Sequence, residues 1–166
     1  MKPTELFKKI TGDELYRQWK KQHPQSYLTH FFCQIDASFQ PKTNWEIGFY
    51  NHQNSKITVF ALLPNETFEI KPEDDVFQKE AGAIEELKIE KVIVSEENAQ
   101  EACRTGLAQS FPTEQTGDGF LVLQTIEQKN LWNFTFISKT LKFLNVKIDA
   151  ETGLVQSQQA ISLVQK

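Results

Sequence analysis

Three histidines, two cysteines and two adjacent glutamate pairs are the residues of this 166-residue chain best suited to catalysis or metal binding, and their spacing supplies neither. His23 precedes a proline, His30 lies in a strand-like run and His52 lies in a polar turn. A zinc site needs ligands brought together by spacings such as His-x-x-x-His or His-Glu-x-x-His, and none occurs. Cys33 and Cys103 have neither a Cys-x-x-Cys partner nor a neighbouring His. They read as two buried thiols acting as small hydrophobes, with a mutual disulfide or a reactive thiol as the alternatives. No Gly-x-Ser-x-Gly elbow and no glycine-rich phosphate loop is found. Glu85-Glu86 and Glu96-Glu97 are sequence neighbours, which do not face one another on a helix, so they suit solvated faces better than acid–base work. The expectation is a protein without enzymatic activity, cofactor or metal.

The most specific local pattern is Val146-Lys-Ile-Asp149-Ala-Glu-Thr-Gly153-Leu-Val155. Asp149 can accept hydrogen bonds from backbone N–H groups two and three residues on, and Gly153 can close the turn in the left-handed conformation. Two strands joined by such a turn explain these residues as a structural device. A metal or catalytic role for Asp149 or Glu151 is the sharper alternative, with no second acidic or histidine ligand close in sequence. Aromatic pairs form the other notable set. Trp45 with Phe49, and Trp132 with Phe136, fall on one face of their respective strands. Packing beneath a helix is the expected use, and a pocket between helix and sheet is the alternative.

The elements that must position these residues follow from periodicity. Thr4 to Gln22 reads as helix, broken near Gly12, with Thr11-Gly-Asp-Glu14 as a capping box and Leu15 and Trp19 on one face. Pro24 ends it. Tyr27 to Ile35 alternates, with Phe31, Cys33 and Ile35 on one face and Leu28, His30, Phe32 and Gln34 on the other. Trp45 to Tyr50, Lys56 to Leu63 and Phe68 to Ile70 complete a meander. Asp74 and Asp75 suit a helix N-terminus, with a helix expected over Val76 to Lys88 and a strand over Ile89 to Val94. Ser95-Glu-Glu-Asn opens the clearest helix, whose Ala99, Ala102, Cys103, Gly106, Leu107 and Ser110 form a small-residue face suited to close contact with a sheet. Phe111-Pro112 stops it, and Gly117-Asp-Gly119 reads as a turn. Strands are expected over Phe120 to Glu127, Trp132 to Ile137, Leu141 to Asp149 and Leu154 to Val164.

These elements follow one plan twice. A helix ends at proline (Pro24, Pro112), a Trp-x-[Ile/Phe]-x-Phe run begins 21 or 20 residues later (Trp45, Trp132), and a Glu-Thr pair follows after 21 or 19 more (Glu66-Thr67, Glu151-Thr152). Landmarks in one order at near-equal spacing predict a duplicated unit. The fold class expected is α+β, two tandem units, each a helix packed on an antiparallel meander. Their bounds are residues 1–72 and 95–166, with 73–94 connecting them.

Composition is that of an ordinary globular chain, 39% hydrophobic and 24% charged with 13 Phe. Its formal net charge of −4 divides evenly about Ser95, leaving no basic block for nucleic acid. The N-terminus lacks the apolar stretch of a secretory signal, and no run approaches the ~20 apolar residues of a membrane helix. The chain as written is expected in the cytoplasm, or outside it if a signal or anchor had been removed.

The helix Glu96-Glu-Asn-Ala-Gln-Glu-Ala102, the Phe111-Pro112 stop, the Trp132 strand and Ile148-Asp-Ala-Glu-Thr-Gly-Leu-Val155 together resemble the PepSY domain, a family named for peptidase propeptides. The resemblance covers roughly Ser95 to Val155. In the first unit, Pro64-Asn-Glu-Thr-Phe68 stands where the second has Asp149 to Gly153, so the hallmark Asp and Gly are missing there. The resemblance implies a non-enzymatic module that modulates peptidases, usually outside the cytoplasm. The leading functional expectation is therefore a protein- or peptide-binding module. A small-ligand domain or enzyme with a pocket between helix and sheet, as in cystatin-like folds, is the second. Pairing of an exposed strand edge with another copy, as a homodimer, is the third.

Overall fold

The computed structural model describes residues 2–72, 74–75 and 84–164. Among these residues the fold is mixed α+β, with three α-helices on one face of an antiparallel sheet. Helix α1 (Pro3–Thr11) and α2 (Glu14–Gln22) precede strands β1 (Tyr27–Ile35), β2 (Glu46–Asn51), β3 (Lys56–Leu62) and β4 (Phe68–Ile70). A two-residue strand, β5 (Asp74–Asp75), also pairs with β3. After the connection come α3 (Glu96–Ser110), β6 (Thr116–Ile126), β7 (Lys129–Ser138), β8 (Lys142–Asp149) and β9 (Val155–Ser162).

Eight strands run in the order β4-β3-β2-β1-β6-β7-β8-β9. The two meanders thus meet through β1 and β6 and share one sheet. At that junction Phe32 lies opposite Val122, flanked by Phe31 opposite Leu123 and Cys33 opposite Leu121. Moving outward, the row Phe31–Ile47–Phe60–Ile70 crosses β1 to β4, and the row Leu121–Phe134–Val146–Gln158 crosses β6 to β9. One face of both rows is the core. Phe31, Ile47, Phe49, Phe60, Leu121, Leu123, Trp132, Phe134, Phe136, Val146 and Ile148 are all buried there.

The helices cover this face by different means. Tyr16 and Trp19 of α2 pack their rings on Phe49 and Phe60 at centroid distances of 5.1 to 5.7 Å. On α3 the buried residues are Ala99, Cys103 and Gly106, with Ala102 and Leu107 partly buried. Small side chains let that helix lie close to β8 and β9. At Gly106 a side chain would fall 3.2 Å from Gln158 Oε1.

Several local expectations are corrected. Thr11 does not cap α2; its hydroxyl donates back to the carbonyls of Phe7 and Lys8, and Asp13 caps the helix by accepting from Leu15 N at 2.9 Å. Serine and threonine commonly bond back in this way inside a helix. Tyr16, not Leu15, joins Trp19 in the core, and Leu15 is exposed. Leu28 belongs to the core face, because a bulge between Leu28 and His30 shifts the alternation of β1 by one residue. Gly117 to Gly119 lies inside β6 at a second bulge instead of forming a turn. At Gly119 a side chain would meet Thr135 O at 1.9 Å, so only glycine permits that approach.

The connection also differs. Asp74 and Asp75 form a short strand paired with Ile57 and Lys56. The helix expected over Val76 to Lys88 falls partly outside the described residues, and Ile84 to Lys88 is not helical. Ile89–Lys91 is a single 3-10 turn where a strand was expected. Its β-branched residues find no strand to pair with; Ile93 and Val94 instead donate their N–H groups to Ala150 O. Leu87 N donates to Leu28 O, and the Tyr27 hydroxyl donates to Ile84 O. The connection therefore crosses the end of the sheet where β1 starts.

Candidate binding surface

The four aromatic residues singled out in sequence, Trp45, Phe49, Trp132 and Phe136, lie in the core. Trp45 is buried just before β2, and Phe49 lies under α2. Trp132 and Phe136 are fully buried, and the Trp132 indole N–H donates to Val94 O. Phe39, held at a positive φ of 66°, lays its ring 4.9 Å from that of Phe136.

The turn after β8 works as a clamp. Asp149 Oδ1 accepts from Glu151 N at 2.8 Å and Thr152 N at 3.0 Å, while Gly153, with φ of 81°, donates its N–H to Asp149 O. That geometry turns Ala150 O towards Ile93 and Val94. Every polar group named in the turn is thereby satisfied within the chain.

Several titratable groups are held by burial or by hydrogen bonds. Burial raises the Cys33 thiol and pushes the Cys103 thiol up to about 12, and both cysteines are free. Burial lowers His30, with Glu46 pulling the other way; the ring lies over Gly48, whose added Cβ would fall 2.1 Å from His30 Cε1. Glu114 is held below the usual carboxylate range by hydrogen bonds from Lys142 and Thr140. Among the described residues, no group of three or more His, Cys, Asp or Glu side chains is placed to hold a metal ion.

Two surfaces stand out among the described residues. One is a groove of about 400 Å³ beside α3, where Leu107, Phe111, Phe39 and Leu144 meet Arg104. Arg104 sits 4.6 Å above the Phe39 ring and pairs with Glu101 at 3.3 Å, so its charge is already shared.

The other surface is the edge formed by β9, which sequence reasoning reached only in general terms. Its eight residues, Val155-Gln-Ser-Gln-Gln-Ala-Ile-Ser162, include no charge and no proline. Among the described residues, β9 pairs only with β8. Leu163 N donates to Leu141 O, and antiparallel bonding alternates from that point. The N–H and C=O of Gln158, Ala160 and Ser162 therefore face outward, with no backbone partner among the described residues.

Apolar side chains gather at the same place. Ile137, Phe143 and Ile161 form one cross-strand row over β7, β8 and β9, on the face away from the helices. Ile161 is 55% exposed, and Leu141, Leu163 and Val164 are exposed nearby. The opposite edge is unlike it, being the three-residue β4 with β5 alongside on β3. Long uncharged edges are the kind that proteins normally blunt with lysine, proline or a cover.

Comparisons with known proteins speak to the fold. No family model and no curated protein matches the chain. A solved crystal structure of a candidate lipoprotein from Clostridium difficile 630 is similar, with a TM-score of 0.52 and 8% identity, covering 89% of this chain and 90% of that one. At that identity the likeness concerns architecture, and the α+β arrangement of one antiparallel sheet under helices is what the two chains share.

Proposed function

We propose that this chain is a non-catalytic protein-binding module that takes an extended segment of a partner against β9. The observation that carries this reading is the uncharged β9 edge, with three residues' backbone groups facing outward beside an exposed apolar row. Strand addition supplies affinity from main-chain hydrogen bonds and specificity from alternate side chains. Ile161 and Phe143 are the side chains placed to read a partner strand on the open face.

The reading includes an origin by duplication, with tandem units over 1–72 and 95–166 joined by 73–94. Supporting it, the two rows from Phe31 and Leu121 run outward through equivalent strands, and the Phe32–Val122 pair lies midway between them. The PepSY resemblance of the second unit and a role in modulating peptidases belong to the same proposal. So does a setting outside the cytoplasm, for which the lipoprotein description of the structural neighbour is the support.

Fluorescence anisotropy with a panel of labelled extended peptides tests the binding reading. Peptides should bind, and Ala160→Pro, which removes an outward N–H, should abolish binding while the far-ultraviolet spectrum is kept. Absence of binding by any peptide would overturn the reading. A second reading, a small apolar ligand in the groove under Arg104, rests on that groove's aromatic and aliphatic lining. It predicts that Leu107→Trp blocks ligand uptake without touching peptide binding.

A further inference from the structure

Resting on the strand-addition reading, we infer that the segment received by β9 is the β9 strand of a second copy, so that the chain forms a two-fold dimer with a continuous sheet. An antiparallel pair of identical strands is self-complementary about a two-fold axis. Placing Gln158 opposite Ala160 of the copy brings the outward backbone groups of these two residues on each strand into register, clear of the bulge opposite Lys147 and Ile148. Gln159, on the open face, then meets Gln159 of the copy at the axis.

Three observations favour a copy over a foreign strand. Identical charges directly opposite one another destabilise a strand pair, and β9 has no charge to oppose. A site tuned to a foreign charged segment would carry complementary charges along the strand, and no residue of β9 itself is charged, although Lys129 Nζ reaches Gln156 Oε1 at one end. The chain's acidity lies elsewhere, with twelve acidic and four basic residues between Glu66 and Glu101, away from β9 in sequence. Finally, the β4 edge is only three residues long and has β5 beside it, so pairing closes at two copies and does not propagate into a fibre.

Sedimentation equilibrium of the full chain from about 1 to about 200 µM, the micromolar-to-millimolar span in which weak complexes are resolved, tests this. A concentration-dependent monomer–dimer equilibrium is expected. Gln159→Lys and Gln159→Glu should each weaken self-association at least tenfold by placing like charges at the axis. Mixing the two variants should restore dimers. Ala160→Pro should give a monomer. A wild-type monomer at every concentration overturns the inference. So does a dimer indifferent to all three substitutions. If the monomer still binds extended peptides at β9, the strand-addition reading stands alone; if it binds none, both fall.

Discussion

The indole N–H of Trp132 donates to the carbonyl oxygen of Val94 at 3.0 Å, tying the second strand of the C-terminal meander to the segment that leads into α3. Trp19 makes the useful contrast. It is nearly as buried, yet its indole N–H has no hydrogen-bond partner among the described residues. Val94 is half-buried, so removing the donor from its carbonyl costs about 1 kcal/mol beyond the lost packing. Trp132→Phe should therefore destabilise the protein more than Trp19→Phe, and Trp132→Ala should cost about 3–5 kcal/mol. Urea unfolding of the three variants checks the order; equal losses for the two Phe variants would remove the role assigned to Val94.

The thiols give a prediction about access. Both cysteines are buried, and the Cys33 Sγ–H donates to Thr43 O at 3.1 Å. With the Cys103 thiol pushed up to about 12 by burial, almost no thiolate forms at pH 8. A chromogenic disulfide reagent should find no reactive thiol in the native protein at that pH and two after denaturation. Rapid native labelling would show that α3 opens away from the sheet.

How much of this was legible in the sequence depends on where each signal resides. Strands β1, β6, β7 and β8 and helix α3 announce themselves, because alternation and a serine cap are local properties. Alternation groups Leu28 with His30, Phe32 and Gln34 because nothing in Tyr27-Leu-Thr-His30 signals a bulge; the bulge arises from pairing with Gly48 and Phe49. Ile89 to Val94 has strand composition, yet its N–H groups are claimed by Ala150, a contact made across more than fifty residues. The paired aromatics lie in the core, and Asp149 accepts from the backbone of its own turn. The β9 edge was hidden for a different reason. Its residues look like an ordinary polar tail, and only the strand order leaves them without a neighbour.

His30 sets the direction of the pH response. Burial lowers its pKa below the ordinary value of 6.5, while Glu46 opposes this. A base whose folded pKa is depressed binds fewer protons folded than unfolded, so stability is full above about 6.5 and falls as pH drops through that value towards the folded one. Glu96, raised by burial, acts in the opposite sense at lower pH. Wild-type protein should lose stability between pH 7.5 and 5.5, and His30→Gln should flatten that slope while leaving the Glu96 contribution unchanged. Parallel slopes for the two proteins in urea titrations would exclude His30 as the cause.

The clamp after β8 carries the last prediction. Asp149 Oδ1 holds two backbone N–H groups, and the conformation it fixes presents Ala150 O to Ile93 and Val94. Asp149→Ala thus removes a turn and also loosens the anchor of the connection that feeds α3. Loss of such a cap costs about 1 kcal/mol by itself. Gly153→Ala forces a side chain into a positive φ of 81°, for a further cost of about 1 kcal/mol. Because both residues act on one turn, their effects should be less than additive in a double-mutant cycle. Hydrogen exchange adds the decisive readout, since Asp149→Ala should speed exchange at the amides of Ile93 and Val94 while leaving those at the β1–β6 junction protected. Acceleration at the junction as well would mean that the turn holds the whole sheet and not the connection alone.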